Sequence, residues 1–135
     1  MPVQRLTICE WRGGTVTETI IEQPRWEAVE SAIRALNNRE RNDVYLFPAS
    51  AGPDTYLCVG GGAGRYVVSG SVGNQEFPTI LDPSRATRPP ERLTVGGQEG
   101  EYHARQVVDL ATALTAARAF FESGGFGDSV TWTRI

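Results

Sequence analysis

The chain has 135 residues, 40% of them hydrophobic and 21% charged, with a net charge of −3 at neutral pH. That length and composition fit one domain spanning residues 1–135, able to bury roughly two thirds of the surface of its unfolded chain, and they exclude wholesale disorder. The mild acidity argues against a direct nucleic-acid binder, which carries a basic patch, and no run of about 18 apolar residues exists for a membrane helix.

The chain opens on "VQRLTICEW" and "TVTETIIEQ", two β-prone runs separated by "RGG", which predict a hairpin. The start lacks an apolar signal core and carries Glu10 early, so we expect no signal peptide and a cytoplasmic protein. Cys9 and Cys58 both fall inside β-prone runs and are expected as buried free thiols. "PRWEAVESAIRALNN" then changes period: Trp26, Val29, Ile33 and Leu36 recur at spacings of three and four, the pattern of an amphipathic helix. Pro24 suits its first turn, and Asn37 and Asn38 suit its C-terminal end, where a left-handed residue is needed.

"VYLFP" follows as a short apolar strand. "TYLCVG" and "RYVVSG" flank the glycine-rich run Gly60–Gly64. A phosphate-binding loop runs from a strand through glycines into a helix, whose N-terminal amides hold the anion. Here β-prone residues stand on both sides, and the chain contains no lysine, so the run reads as the turn of a hairpin. Pro78 demotes "FPTIL" to an edge strand or an irregular segment. "DPSRATRPPERL" reads as a loop, "LTVGG" as a short strand, "QEGEYH" as a polar loop, and "ARQVVDL" as extended up to its last residues.

The second helix has the clearest signal. Asp109 is a good N-cap, and Leu110, Ala113, Leu114, Ala117, Phe120 and Phe121 mark one stripe at helical spacing. Gly124 is the stop. "SVTWTRI" closes the chain as a strand with Val130 and Trp132 on one face. Neighbouring strands with short turns pair antiparallel, so the expected fold class is α+β: a mainly antiparallel sheet with two helices packed on one face.

The sequence assembles no catalytic set. His103, Cys9 and Cys58 are the only soft metal donors and have no ligand spacing, so neither a metal nor another cofactor is expected. A Cys58–His103 dyad would need proximity that the sequence does not supply, and a buried strand thiol is inert. Glu99 and Glu101, flanking Gly100, would serve as acid and base only if directed at a substrate. The same segment carries Tyr102 and His103, and an acidic loop with an aromatic suits a basic protein surface.

Four segments in order, "WEAVESAIRAL", "YLCVGGGAGRYVVS", "LTVGGQEGEYHARQVVDLATALTAARAFFESG" and the closing "SVTWTRI", give the chain its resemblance. It resembles immunity protein family one of bacterial polymorphic toxin systems. The resemblance covers most of the chain, with nothing matched over "DPSRATRPPERL". It implies a non-catalytic inhibitor that forms a one-to-one complex with a cognate toxin, often a deaminase-type domain acting on nucleic acid, and covers its active site or substrate channel. Glu99, Glu101, Tyr102 and His103 are the candidate toxin contacts. The alternative reading is a small-ligand or nucleotide-binding module using the Gly60–Gly64 loop.

Overall fold

The computed structural model describes residues 3–49, 52 and 54–133. The opening hairpin forms as expected, with β1 (Val3–Arg12) antiparallel to β2 (Thr15–Glu22). Helix α1 (Trp26–Arg34) follows, then β3 (Asp43–Pro48), β4 (Tyr56–Gly62), β5 (Arg65–Ser71), β6 (Thr79–Leu81), β7 (Glu91–Val95), β8 (Gln98–Tyr102), α2 (Leu110–Ser123) and β9 (Thr131–Thr133). Seven strands make one antiparallel sheet in the order β2-β1-β3-β4-β5-β6-β9. Strands β7 and β8 pair only with each other.

Side-chain alternation divides the sheet into two unlike faces. Leu6, Val44, Leu46, Leu57, Val59, Val68 and Ile80 point to one face and are buried there against Val29 and Ile33 of α1 and Ala113, Ala117 and Phe120 of α2. Both helices therefore cover the same face, and the fold is α+β. The stripe read from the second helix is a core face, with Leu110 and Leu114 at its half-buried margin. Phe126 and Trp132 extend that core edge-on, with ring centroids 5.1 Å apart, and the Trp132 indole donates to the Phe126 carbonyl at 3.2 Å.

Three local readings are corrected. "QEGEYH" is no loop: Gln98–Tyr102 is the second strand of a hairpin whose turn is Gly96–Gly97. The polar character that suggested a loop belongs to a strand with one solvated face. "FPTIL" supplies a short interior strand rather than an edge, because Pro78 stands just before the strand and gives its carbonyl to the Gly70 N–H at 2.9 Å. "ARQVVDL" begins with a 3-10 turn over Ala104–Gln106, and only Val108 bridges to Tyr66. The proline-rich loop likewise holds a 3-10 turn over Pro83–Arg85, capped by Asp82.

Helix ends follow the expected chemistry in part. Pro24 precedes the N-cap, Arg25, which offers no side-chain cap. The left-handed residue is Asn38, at φ +62° and three residues past the C-cap Ala35. Gly124 at φ +75° ends α2. Asp109 caps α2 through the Thr112 N–H at 2.8 Å, and that hydrogen bond holds its carboxyl below the usual range. Asp109→Ala is expected to destabilise the fold by about 1 kcal/mol at neutral pH. A depressed native pKa contributes stability above the unfolded value and loses it as pH falls through the native one. The gap between wild type and variant should therefore close below about pH 4 in paired urea titrations.

Candidate functional site

The glycine run is a scaffold hairpin. Gly62 pairs with Arg65 across a two-residue turn, Ala63 and Gly64, with φ of +56° and +90°. Positive φ at both central residues is the signature of a type I′ turn. Its backbone groups are already engaged: the Gly61 N–H donates to the Asn42 carbonyl at 3.0 Å and the Ala63 N–H to the Leu36 carbonyl at 3.2 Å. A phosphate cradle needs such amides free and converging. The hairpin instead receives the chain leaving α1.

That connecting segment, Leu36–Asn42, also fastens the second hairpin. Asn38 Oδ1 accepts from the Thr94 N–H at 2.7 Å, and Asn42 Oδ1 accepts from the Gly97 N–H at 3.0 Å. Asn42 is fully buried, and its Nδ2 donates to the Arg39 carbonyl at 2.7 Å. In the sequence these asparagines signal only a helix end. Their long-range role has no local signature, since the partners lie 55 and 56 residues away.

The β7–β8 hairpin packs on the sheet face opposite the helices. Leu93 and Val107 are buried with Val67, and Val95 and Tyr102 pack beside them. A Cβ added at Gly60 would meet Val95 at 2.5 Å, and one added at Gly97 would meet the Trp11 ring at the same distance. These glycines let the hairpin lie directly on the sheet.

The four expected contact residues therefore separate. Glu99 and Glu101 point outward and are exposed. Glu99 pairs with Arg92 at 2.8 Å, and that hydrogen bond, then the charge of Glu99 and more weakly that of Glu101, raise the Arg92 pKa. Tyr102 faces inward, half-buried on Leu93, and burial first and then Cys58 raise its hydroxyl pKa. His103 caps the following turn, its Nδ1 accepting from the Arg105 N–H at 3.4 Å.

Beside the hairpin no other described element covers the same sheet face. Arg5, Thr7, Cys9 and Trp11 of β1 align with Glu22, Ile20, Glu18 and Val16 of β2 on one side and with Asp43, Tyr45 and Phe47 of β3 on the other. All of these but Glu22, together with Tyr56, line an open groove of about 460 Å³. Tyr45, Phe47 and Tyr56 form an aromatic bank with centroid separations of 5.7–6.4 Å. Val16 and Ile20 on the outer wall are 38% and 53% exposed, two of the three large apolar side chains so exposed among the described residues. The alternation of "TVTETIIE" encodes this pattern, yet sequence reading assigned it no role.

At the groove's floor Asp43 is buried and accepts from the Trp11 indole at 2.9 Å. The Asp43 charge also acts on Tyr45 and Cys9, its neighbours on this face. Burial, then the charges of Asp43 and Glu18, push the Cys9 thiol up to about 12. Burial and then Asp43 push Cys58 up to about 12 as well, against a Tyr45 hydrogen bond that acts the other way. Tyr45 is raised above its ordinary value, chiefly by burial. A nucleophilic cysteine requires the opposite shift. Among the described residues no three His, Cys, Asp or Glu side chains converge as a metal site, and no helix is long and apolar enough to cross a membrane.

The arrangement sets an outward acidic strand beside an aromatic, acid-floored groove. No curated protein matches the sequence. The family model described as immunity protein Imm1 matches residues 18–134. That span includes both helices, the glycine hairpin and the β7–β8 hairpin, and the chain belongs to this family.

Proposed function

We propose that this immunity protein neutralises a deaminase-type toxin acting on nucleic acid, by binding it one-to-one in the cytoplasm of the producing cell and covering its active site or substrate channel. Membership of the family carries the toxin partner; the resemblance of the four segments carries the deaminase class. The observation that supports the mode of inhibition is the outward placement of Glu99 and Glu101 on a strand braced against a seven-stranded sheet. A toxin that handles nucleic acid neutralises phosphates with basic residues in its cleft. Carboxylates held on a rigid strand make charge-assisted hydrogen bonds to such residues. Tyr102 supports the strand from beneath, and His103 fixes the turn that follows it. The chain acts by occupation and needs no cofactor, metal or nucleic acid of its own.

The test is to look beside this gene for one encoding a toxin with a deaminase-like domain, and to co-express that domain with this chain, followed by gel filtration and a toxicity assay. A one-to-one complex with lost toxicity is expected. Separate elution with undiminished toxicity overturns the reading. Within the complex, Glu101→Arg is expected to weaken binding by about 2–5 kcal/mol, mostly through faster dissociation, if the carboxylate is buried at the interface. Tyr102→Phe keeps the ring and should preserve folding. Binding by both variants within about twofold of wild type, under 0.5 kcal/mol, would remove β8 from the interface.

The glycine run as a nucleotide site is the weaker reading, because the Gly61 and Ala63 amides already donate to the chain itself.

A further inference from the structure

The bare groove over β1, β2 and β3 has two properties that rarely coincide on a solvated surface. Its outer wall exposes Val16 and Ile20, and its inner bank is the aromatic set Tyr45, Phe47 and Tyr56. It is also acidic. Arg5 and Glu22 neutralise each other at one end, 2.8 Å apart. That leaves Glu18 on the wall and Asp43 on the floor, neither in an ion pair with any described residue. Asp43 is held by a donor that carries no formal charge, the Trp11 indole at 2.9 Å. A carboxyl group out of solvent and without a cation favours an arriving positive charge.

We infer that this groove receives an arginine side chain from a loop of the toxin, stacked on the aromatic bank with its guanidinium directed to Glu18 and Asp43. The inference rests on the immunity function proposed above. The chemistry favours arginine over lysine. A planar guanidinium stacks on aromatic faces, sheds water more readily than an ammonium, and donates to two carboxylates at once. The apolar wall then covers the aliphatic part of the side chain. The β7–β8 hairpin rises from the same sheet face, so groove and acidic strand present one continuous docking side to the toxin, with the helices behind it.

Two measurements on the full chain test this. The first is an NMR titration with Nα-acetyl-arginine amide, with the uncharged isostere Nα-acetyl-citrulline amide as control. Saturable shifts of the Trp11 indole and of the amides from Asp43 to Phe47, seen only with arginine and lost in Glu18→Gln, are expected. Equal shifts with both compounds, or none with arginine, overturn the proposal. The second measures affinity for the cognate toxin domain found by the co-expression test, in Glu18→Gln and Asp43→Asn, each checked for wild-type melting. Asp43→Asn keeps an oxygen to accept from Trp11, removes the charge and turns the second oxygen into an NH2 donor, so its melting is compared with wild type before its affinity is read. Each change is expected to weaken binding by roughly tenfold to a hundredfold, the loss of one hydrogen bond to a charged group. Wild-type affinity in both, with binding still lost in Glu101→Arg, overturns the groove and leaves the immunity function standing. If the wild-type chain binds no toxin, that function falls and the toxin as occupant falls with it, while the titration still decides whether the groove takes a guanidinium. A self-associated dimer that Ile20→Arg disperses would assign the groove to a second copy and overturn the proposal.

Discussion

Phe120→Ala is expected to destabilise the protein by about 3–5 kcal/mol. Phe120 has no solvent exposure and is the largest of the fully buried side chains. Its ring meets Phe126 edge-on, 5.2 Å between centroids, and Phe126 in turn meets Trp132. Truncation removes the ring from the junction of α2, the sheet and the segment leading into β9. The neighbours cannot collapse into the space without moving the helix, so the cavity term adds to the lost transfer free energy. Since domains of this size are stable by about 5–15 kcal/mol, the variant approaches the limit of folding. Urea unfolding should show a lowered midpoint with an unchanged slope. Leu114→Ala, on the half-buried margin of the same helix, should lose distinctly less. A change below about 1 kcal/mol for Phe120→Ala would mean that the stripe is not core.

Gly62→Ala should be comparably severe for a different reason. Gly62 sits at φ +132°, and a Cβ there would lie 2.4 Å from the Leu36 carbonyl carbon and 2.5 Å from the Asn37 nitrogen. Those are backbone atoms, so no rotamer change relieves the clash. The segment leaving α1 would have to move, taking with it the Asn38 N–H bond to the Gly61 carbonyl and the Asn38 and Asn42 side-chain bonds to the β7–β8 hairpin. Backbone strain of about 1–3 kcal/mol and overpacking of about 1–3 kcal/mol add. Gly64→Ala separates the two effects. Gly64 also has positive φ, at +90°, but nothing lies within 4 Å of its added Cβ. It should lose only the strain term. Equal urea midpoints for the two variants would mean that the close approach of the α1 segment contributes nothing.

These two residues also show how unevenly the sequence discloses its structure. Phe120 announces itself, because a helical stripe ending at a glycine has a 3.6-residue period that any reader can count. Gly62 announces a turn but not the backbone that passes over it. The same holds for the candidate surfaces. Glu99, Gly100 and Glu101 have the composition of a loop, and their charges overrode the period-two signal of a strand too short to establish it. Their pairing with Thr94, Leu93 and Arg92 depends on the Gly96–Gly97 turn, and the inward seat of Tyr102 depends on that register. The groove was harder still to see. Its aromatic bank lies on β3 and β4, its apolar wall on β2 and its buried acid beside Trp11 of β1.

The sequence by itself determined the α+β class, the antiparallel pairing, both helices with their buried stripes, and the hairpin character of the glycine run. Each of these follows from local periodicity or from a residue whose backbone preference is strong. Tertiary structure decided the rest: the strand order, that the β7–β8 hairpin lies on the face opposite the helices the sequence already placed together, and that the β1–β3 part of that face is covered by no described element. Strand order and the placement of a hairpin on a sheet arise from contacts between residues far apart in the chain. No local pattern records which of two faces will be left open to a partner.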